Sequence, residues 1–548
     1  MSQLRTDENS LLLQSDYGIP RRKPDKRSDR QKKSAEIFIL LTVLFERAAF
    51  YSLVLNLVSS LSSEGLLHWS ASHSSLAVFI FSGITNISAL IVAVVSDGLI
   101  RRSIIISAGF VIYIIGYAFA IVVTNPQVKM CVPNSNITNN VQNMSTFIDE
   151  PCVGWILPVL VIIAIGSGAV QSNMAVFGAE QTQTSKVKSR YFDKYLIAVN
   201  VGGIIGSLII SFIQKDMYSY FIGYLVAASM LTLSFVIFLI GRSCYYNVKP
   251  YDSVVATCIP FWFASIQLRC QSKQNRDEFT TSLDTTESIN SKGFTDRMIN
   301  DNKSLRRAII VFSLLIPYFL IYNQISATFP LQGEHMHKPS DVGNIVTLMT
   351  LSDPVTLIIG LLILYFIFHK NRDISHSEST IHKKFLAGMF LAFITMIIAG
   401  TMEKYRRDYC DPEIDESSLS VYYLLIQNVC MGISEVFAML ASFEYAYFAA
   451  PQSAQSLFMS FRFVSIGIAS FIGSGLISAF PTPSFNLDFS CRSKDYMEWS
   501  FYTYFYILAG IQLVFLIIFH VLNTRLHLIE INPQQIDENS SGNMNSSC

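Results

Sequence analysis

The sequence predicts an all-α polytopic membrane protein of twelve transmembrane helices, built as two six-helix bundles. Three observations carry that prediction. Of 548 residues, 51% are hydrophobic and only 15% are charged, with a mean hydropathy of +0.40, too apolar for a water-soluble domain of this length. The charge is confined to the two ends and a few connecting segments, so the net charge of zero says nothing about partners. The apolar runs, each long enough for the roughly 20 residues that a bilayer crossing needs, fall into two groups of six on either side of a long polar stretch.

Residues 1–35 form a basic tail. Arg21, Arg22, Lys23, Lys26, Arg27, Arg30, Lys32 and Lys33 precede the first span, and the excess of Lys and Arg on the cytosolic side places this terminus in the cytosol. A topogenic role accounts for the run, so no nucleic-acid partner is expected. The tail has no apolar segment followed by a small-residue cleavage site, and the first helix is expected to act as the insertion signal. Spans at 36–60, 75–97, 103–124, 154–176, 191–213 and 218–241 make a first bundle over 36–241. Residues 242–306, rich in Ser, Asn, Asp and Lys, read as a cytosolic linker. A second bundle over 307–523 holds spans at 307–330, 341–369, 383–402, 419–443, 453–480 and 499–523, and the polar 524–548 reads as a disordered cytosolic tail. Lys186, Lys188, Arg190, Arg101, Arg102, Lys370, Arg372, Lys383 and Lys384 fall on the cytosolic side; Lys404, Arg406 and Arg407, in the opposite 403–418 loop, run against the rule.

Chemistry that occurs only outside the cytosol cross-checks this orientation. The sequons at Asn136 and Asn143 both lie in the 125–153 loop, where glycosylation is expected. Cys131, Cys152, Cys410 and Cys491 fall in non-cytosolic loops, and the pairs Cys131–Cys152 and Cys410–Cys491 are expected. Cys244, Cys258 and Cys270 are too widely spaced for a zinc signature, so no metal is expected.

Polar residues inside the spans locate the working interior, because ionisable groups at membrane depth face protein or water. The first span supplies Glu46, Arg47 and Tyr51, the fourth Gln171 and Asn173, the fifth Asn200. The seventh supplies Tyr322, Asn323 and Gln324, the eighth Asp353, the tenth Glu435. They come from both halves, as a site between two repeats requires. Adjacent helical residues point about 100° apart, so Glu46 and Arg47 are expected to find partners on other helices or on a ligand. The residue one turn before Arg47 is Val43, which offers no charge. A guanidinium that can clamp a carboxylate, with separate carboxylates that can hold an ammonium, suits a zwitterion such as an amino acid or short peptide.

Several stretches resemble one family. FERAAFYS in the first span, FGAEQ closing the fourth, FDKYLIAVNVGGI in the fifth, YNQISATFPLQGEHM in the seventh and GISEVFAMLASFEYAYFAAPQS in the tenth occur in the order of the proton-coupled oligopeptide transporters, which have the major facilitator fold. The resemblance covers about 36 to 523 and is closest to the animal peptide/histidine branch, solute carrier family 15. It implies a carrier of di- and tripeptides or histidine. Glu435 would hold the substrate amino group, Arg47 would serve carboxylate binding and proton coupling, and Tyr51, Asn200 and Tyr322 would line the pocket. Protons would be the co-substrate, coupled through Glu46 and Glu435, with no other cofactor. Asp97 to Arg102 resembles the cytosolic motif that locks helices. The chain departs from the pattern where Val43 replaces a first-helix Glu, Gln171 a fourth-helix Lys and Phe79 a second-helix His. Loss of the Glu and Lys together avoids a lone buried charge and makes the coupling site atypical.

Two readings follow. One is transport by alternating access across an endolysosomal membrane, to which Asp7, Glu8, Leu11, Leu12 and Leu13 would direct the chain as acidic dileucine signals read by sorting adaptors. The other, suggested by the same branch, is a weakly transporting receptor or scaffold that recruits a signalling adaptor. No phosphate-binding loop, metal cluster or nucleophile–base spacing supports an enzyme.

Overall fold

The computed structural model describes residues 27–61, 69, 71–125, 152–182, 185–213, 217–247, 296–339, 345–368, 378–411, 416–451, 454–479 and 501–530. The dileucine residues Asp7, Glu8 and Leu11 to Leu13, the sequons at Asn136 and Asn143, and Cys131 and Cys491 lie outside them. Cys152 and Cys410 are each disulfide-bonded. The first half is α1 (Asp29–Leu61), α2 (Ala71–Gly98), α3 (Arg102–Val123), α4 (Val153–Glu180), α5 (Ser185–Ile213) and α6 (Met217–Ile240). The second is α7 (Asp296–Leu314), α8 (Ile316–Tyr322), α9 (Gln324–Glu334), α10 (Ile345–Thr350), α11 (Ser352–Phe368), α12 (Glu378–Asp408), α13 (Leu424–Phe448), α14 (Gln455–Ala479) and α15 (Phe501–Leu526).

Among the described residues, ten helices are each long and apolar enough to cross a membrane. The other two expected spans are broken. The seventh is a pair bent by 42° at Leu315, and the eighth is a shorter apolar helix over 348–364. Pro317 explains the first break, since it has no N–H to donate and its ring crowds the carbonyl one turn earlier. Large apolar side chains such as Ile91, Phe119, Phe212 and Ile517 point outward, and buried Ser, Asn and Gln side chains share the interior with a large apolar core. Apolar side chains turned outward are what a lipid solvent selects, because lipid gives no reason to bury leucine against leucine.

Close approach of helices fixes the first half. A Cβ at Gly202 would strike the Leu44 carbonyl oxygen, and one at Gly206 the Ala48 carbonyl oxygen, so α5 lies directly on α1. Ser52 Oγ then donates to the Gly206 carbonyl at 3.1 Å. The halves meet along α2 against α14, and along α5 against α11 and α13.

Three short strands occur where the sequence suggested loops: β1 (Met336–His337), β2 (Cys410–Asp411) and β3 (Glu416–Ser420), in the order β1-β3-β2. They lie at the end of the bundles opposite to the one where the described chain begins and finishes. Helix α12 also runs to Asp408, beyond the expected 402, and its last turns hold a fully buried ion pair with Arg406 Nη2 2.8 Å from Glu403 Oε1. Arg406, one of the basic residues that offended the charge rule, is therefore neutralised within the protein.

Candidate functional site

Of the expected polar residues, Glu46, Arg47, Gln171 and Tyr51 from the first half and Tyr322, Asp353 and Glu435 from the second gather at the junction of the halves, in two groups. In the first, Glu46 and Arg47 face each other, contrary to expectation. Arg47 Nε lies 2.6 Å from Glu46 Oε2 and Nη2 2.5 Å from Oε1, a two-pronged ion pair between neighbours on α1. Helix geometry separates their Cβ atoms, but two long side chains can curl around the same face and meet at their tips. Arg47 Nη1 donates to Gln171 Oε1 on α4 at 2.9 Å, and the guanidinium sits 4.6 Å from the Phe50 ring centroid. Tyr113 on α3 and Tyr195 on α5 close the group.

The second group belongs to the other half. Asp353 on α11 and Glu435 on α13 are both buried, and their carboxyl groups face each other. One oxygen of each, Asp353 Oδ1 and Glu435 Oε1, has no hydrogen-bond partner. Tyr322 on α8 stands beside them and meets Tyr51 on α1, which interacts with Arg47 as well. Tyr51 and Tyr322 thus tie the two groups across the junction. The ring of Tyr51 packs on Gly203, which explains the second glycine of NVGG.

Other expected site residues turn away from this centre. Asn173 is fully buried and donates to the Ala169 carbonyl and Ser172 Oγ. Asn200 Nδ2 is satisfied by the Leu196 carbonyl of its own helix. Gln324 accepts from Tyr504 and Thr328, inside the second half. Asn323 donates to Ser470 Oγ at 3.0 Å, and Ser470 reaches Ser82 on α2, so this residue serves the junction. Val43 is buried in the apolar core.

Asp97 and Arg102 form a separate cluster at the end where the described chain begins and finishes. Arg102 bridges Asp97 (Nη2 to Oδ1, 2.6 Å) and Glu180, and its Nε donates to Ser456 Oγ at 2.8 Å. Asp97 also accepts from the backbone N–H of Ser456 and of Leu457, at 3.3 and 2.8 Å. A carboxylate of one half thus caps the N-terminus of α14 in the other, where the helix dipole favours it. Above it, Phe192 packs on Phe443 and Tyr447, and Tyr195 on Phe443, all across the junction. This end is closed.

Glu180, Tyr195 and Phe443 lie inside the motif stretches without being singled out there, and Tyr113 and Arg462 lie outside them. Arg462 was the most legible of them, an arginine in the middle of the 453–480 span. Among the described residues no three His, Cys, Asp or Glu side chains gather as a metal site.

The sequence pattern described as PTR2, POT family, matches residues 102–490. Solute carrier family 15 member 3 of Mus musculus is 25% identical over 532 residues, covering 89% of this chain and 91% of that protein. Its Rattus norvegicus counterpart is 26% identical, with coverage of 89% and 91%. Among solved structures, the POT family transporter PepTSo superposes with a TM-score of 0.66 at 16% identity, covering 92% of this chain and 99% of that one. A POT family transporter in complex with 5-aminolevulinic acid gives 0.62 at 16% identity, covering 89% and 96%. At such identities the superpositions show a shared fold.

Proposed function

The chain belongs to the POT family, and from that premise we propose that it is a secondary transporter of small zwitterions, namely di- and tripeptides and histidine, working by alternating access. The observation that carries this reading is the convergence of buried charged and phenolic groups from both halves, Arg47 and Tyr51 against Tyr322, Asp353 and Glu435, above a closed end. A scaffold alone gives no reason to bury such groups between two bundles, where each unpaired charge costs several kcal/mol, on the order of 3 or more. Glu435 receives the substrate ammonium, with Asp353 beside it. Protons are the co-substrate, and two carboxyl groups side by side share a proton more readily than they bear two charges, so this pair takes the coupling role that Val43 and Gln171 leave unfilled. Glu46 is held by Arg47 in a two-pronged ion pair and becomes available for coupling only when that pair opens.

The termini and 242–306 are cytosolic in this reading, and the dileucine residues direct the chain to endosomes and lysosomes through sorting adaptors. The similarity to solute carrier family 15 member 3 supports the substrate class. Protein reconstituted in liposomes is expected to carry labelled histidine or dipeptides saturably, faster when an imposed proton gradient runs with the substrate. Absence of saturable flux at every pH overturns the reading. Replacing Leu11 and Leu12 by Ala is expected to move the protein to the cell surface, seen by surface biotinylation.

A further inference from the structure

Arg462 is a buried cation with no acid of its own. It lies in α14 and is 4% exposed. The other deeply buried arginines are all answered by carboxylates: Arg47 by Glu46, Arg102 by Asp97 and Glu180, Arg406 by Glu403. Arg462 forms no ion pair among the described residues. Its Nε donates to Ser442 Oγ at 2.8 Å and its Nη2 to the Met439 thioether, a weak acceptor. The guanidinium lies 3.9 Å from the Phe443 ring centroid and 5.1 Å from that of Phe463. A guanidinium carries five N–H donors, and Nη1 has no acceptor among the described residues. Aromatic faces offset only part of the desolvation of a cation. The remainder calls for an anion.

Its surroundings say where that anion comes from. The Phe443 ring under the guanidinium packs on Phe192 and Tyr195 of α5 in the other half, and Tyr318 and Tyr322 on α8 and Glu435 on α13 act on the guanidinium as well. The open cation therefore borders the same junction as the carboxyl pair, while the fork of Arg47 is already filled by Glu46.

We propose that Arg462 is the anion-binding group of the central site and holds the carboxylate of a zwitterionic substrate whose ammonium lies at Glu435 and Asp353. The inference rests on the transport reading above and reassigns one end of the ligand from the first half to the second. A carboxylate arriving at Arg47 must first displace Glu46, whereas at Arg462 it meets free donors and a planar fork suited to two-pronged binding. Both ends of the ligand are then held by one bundle, and the other is free to move past it.

The test compares binding of dialanine and of dialanine C-terminal amide to the purified full-length protein in nanodiscs, with unfolding midpoints as a folding control. The wild type is expected to prefer the acid about tenfold, roughly the effect of one lost ion-paired contact. R462Q is expected to reduce that ratio to near one by weakening dialanine and sparing the amide. R462K, which keeps charge without the fork, is expected to retain a smaller preference. R47Q is expected to weaken both probes alike and keep the ratio. Loss of the preference in R47Q, or its survival in folded R462Q, overturns the assignment, and the R47Q arm decides even where R462Q does not fold. Wild type that binds both probes equally sinks the role of Arg462 but leaves the transport reading standing. Wild type that binds neither sinks both.

Discussion

Glu46 and Arg47 satisfy each other, and Gln171 takes a further donor of the guanidinium at 2.9 Å. A cation in place of Gln171 would face Arg47 with nothing to balance it. Q171K is therefore expected to destabilise the fold by about 3 kcal/mol, as uncompensated buried charge does, and V43E, one turn before Arg47 on the same face, is expected to recover much of that loss. Unfolding midpoints in detergent for both single variants and the double variant would show a coupling above about 1 kcal/mol; additive effects would mean that positions 43 and 171 do not communicate. The residues of this cluster were legible because an ionisable side chain in an apolar run declares itself. Their pairing was not, since helical periodicity fixes only the direction of Cβ and these side chains end several bonds further out. Arg462 declares itself equally well, and attention to family motifs passed over it because it belongs to none.

Helices were readable as lengths of apolar chain, so spans such as α3 and α12 could be found from the sequence, while their interruptions were not. Pro317 stands beside the 42° bend of the seventh span, yet hydropathy averages over it. The strands β1 to β3 escaped notice because two of them are two residues long and exist only through pairing with distant partners. Packing between helices follows the same division. The glycines of α5 are visible in NVGGIIG, but only the fold shows that Gly206 admits the backbone of α1. G206V is expected to force α1 and α5 apart and to destabilise by about 3 kcal/mol, the upper range for overpacking. Gly154 in the first turn of α4 has no neighbour within 4 Å of an added Cβ, so G154A is expected to be neutral or slightly stabilising. Thermal unfolding of the two variants side by side checks this, and equal effects would disprove the close approach.

For the molecule as a whole, alternating access requires that a closed end be able to open, and the cluster around Arg102 is where the closure is chemically defined. Asp97 reaches across the halves to the first backbone N–H groups of α14, while Arg102 holds Asp97, Glu180 and Ser456 at once. Removing Asp97 leaves those N–H groups uncapped and Arg102 with one acid instead of two. The aromatic contacts of Phe192 and Tyr195 with α13 remain, but they are non-directional and yield to sliding more readily than a shared carboxylate. D97A is therefore expected to shift the population toward forms open at this end. Ser456, fully buried at the cluster, reports on it. In a background with the other free cysteines replaced by serine, S456C in purified protein is expected to react slowly with a charged maleimide. D97A is expected to raise that rate about tenfold, the effect of a shift near 1.4 kcal/mol in the equilibrium between closed and open forms. An unchanged rate would place the closing energy in the aromatic contacts instead, and F192A would then be the variant that opens this end.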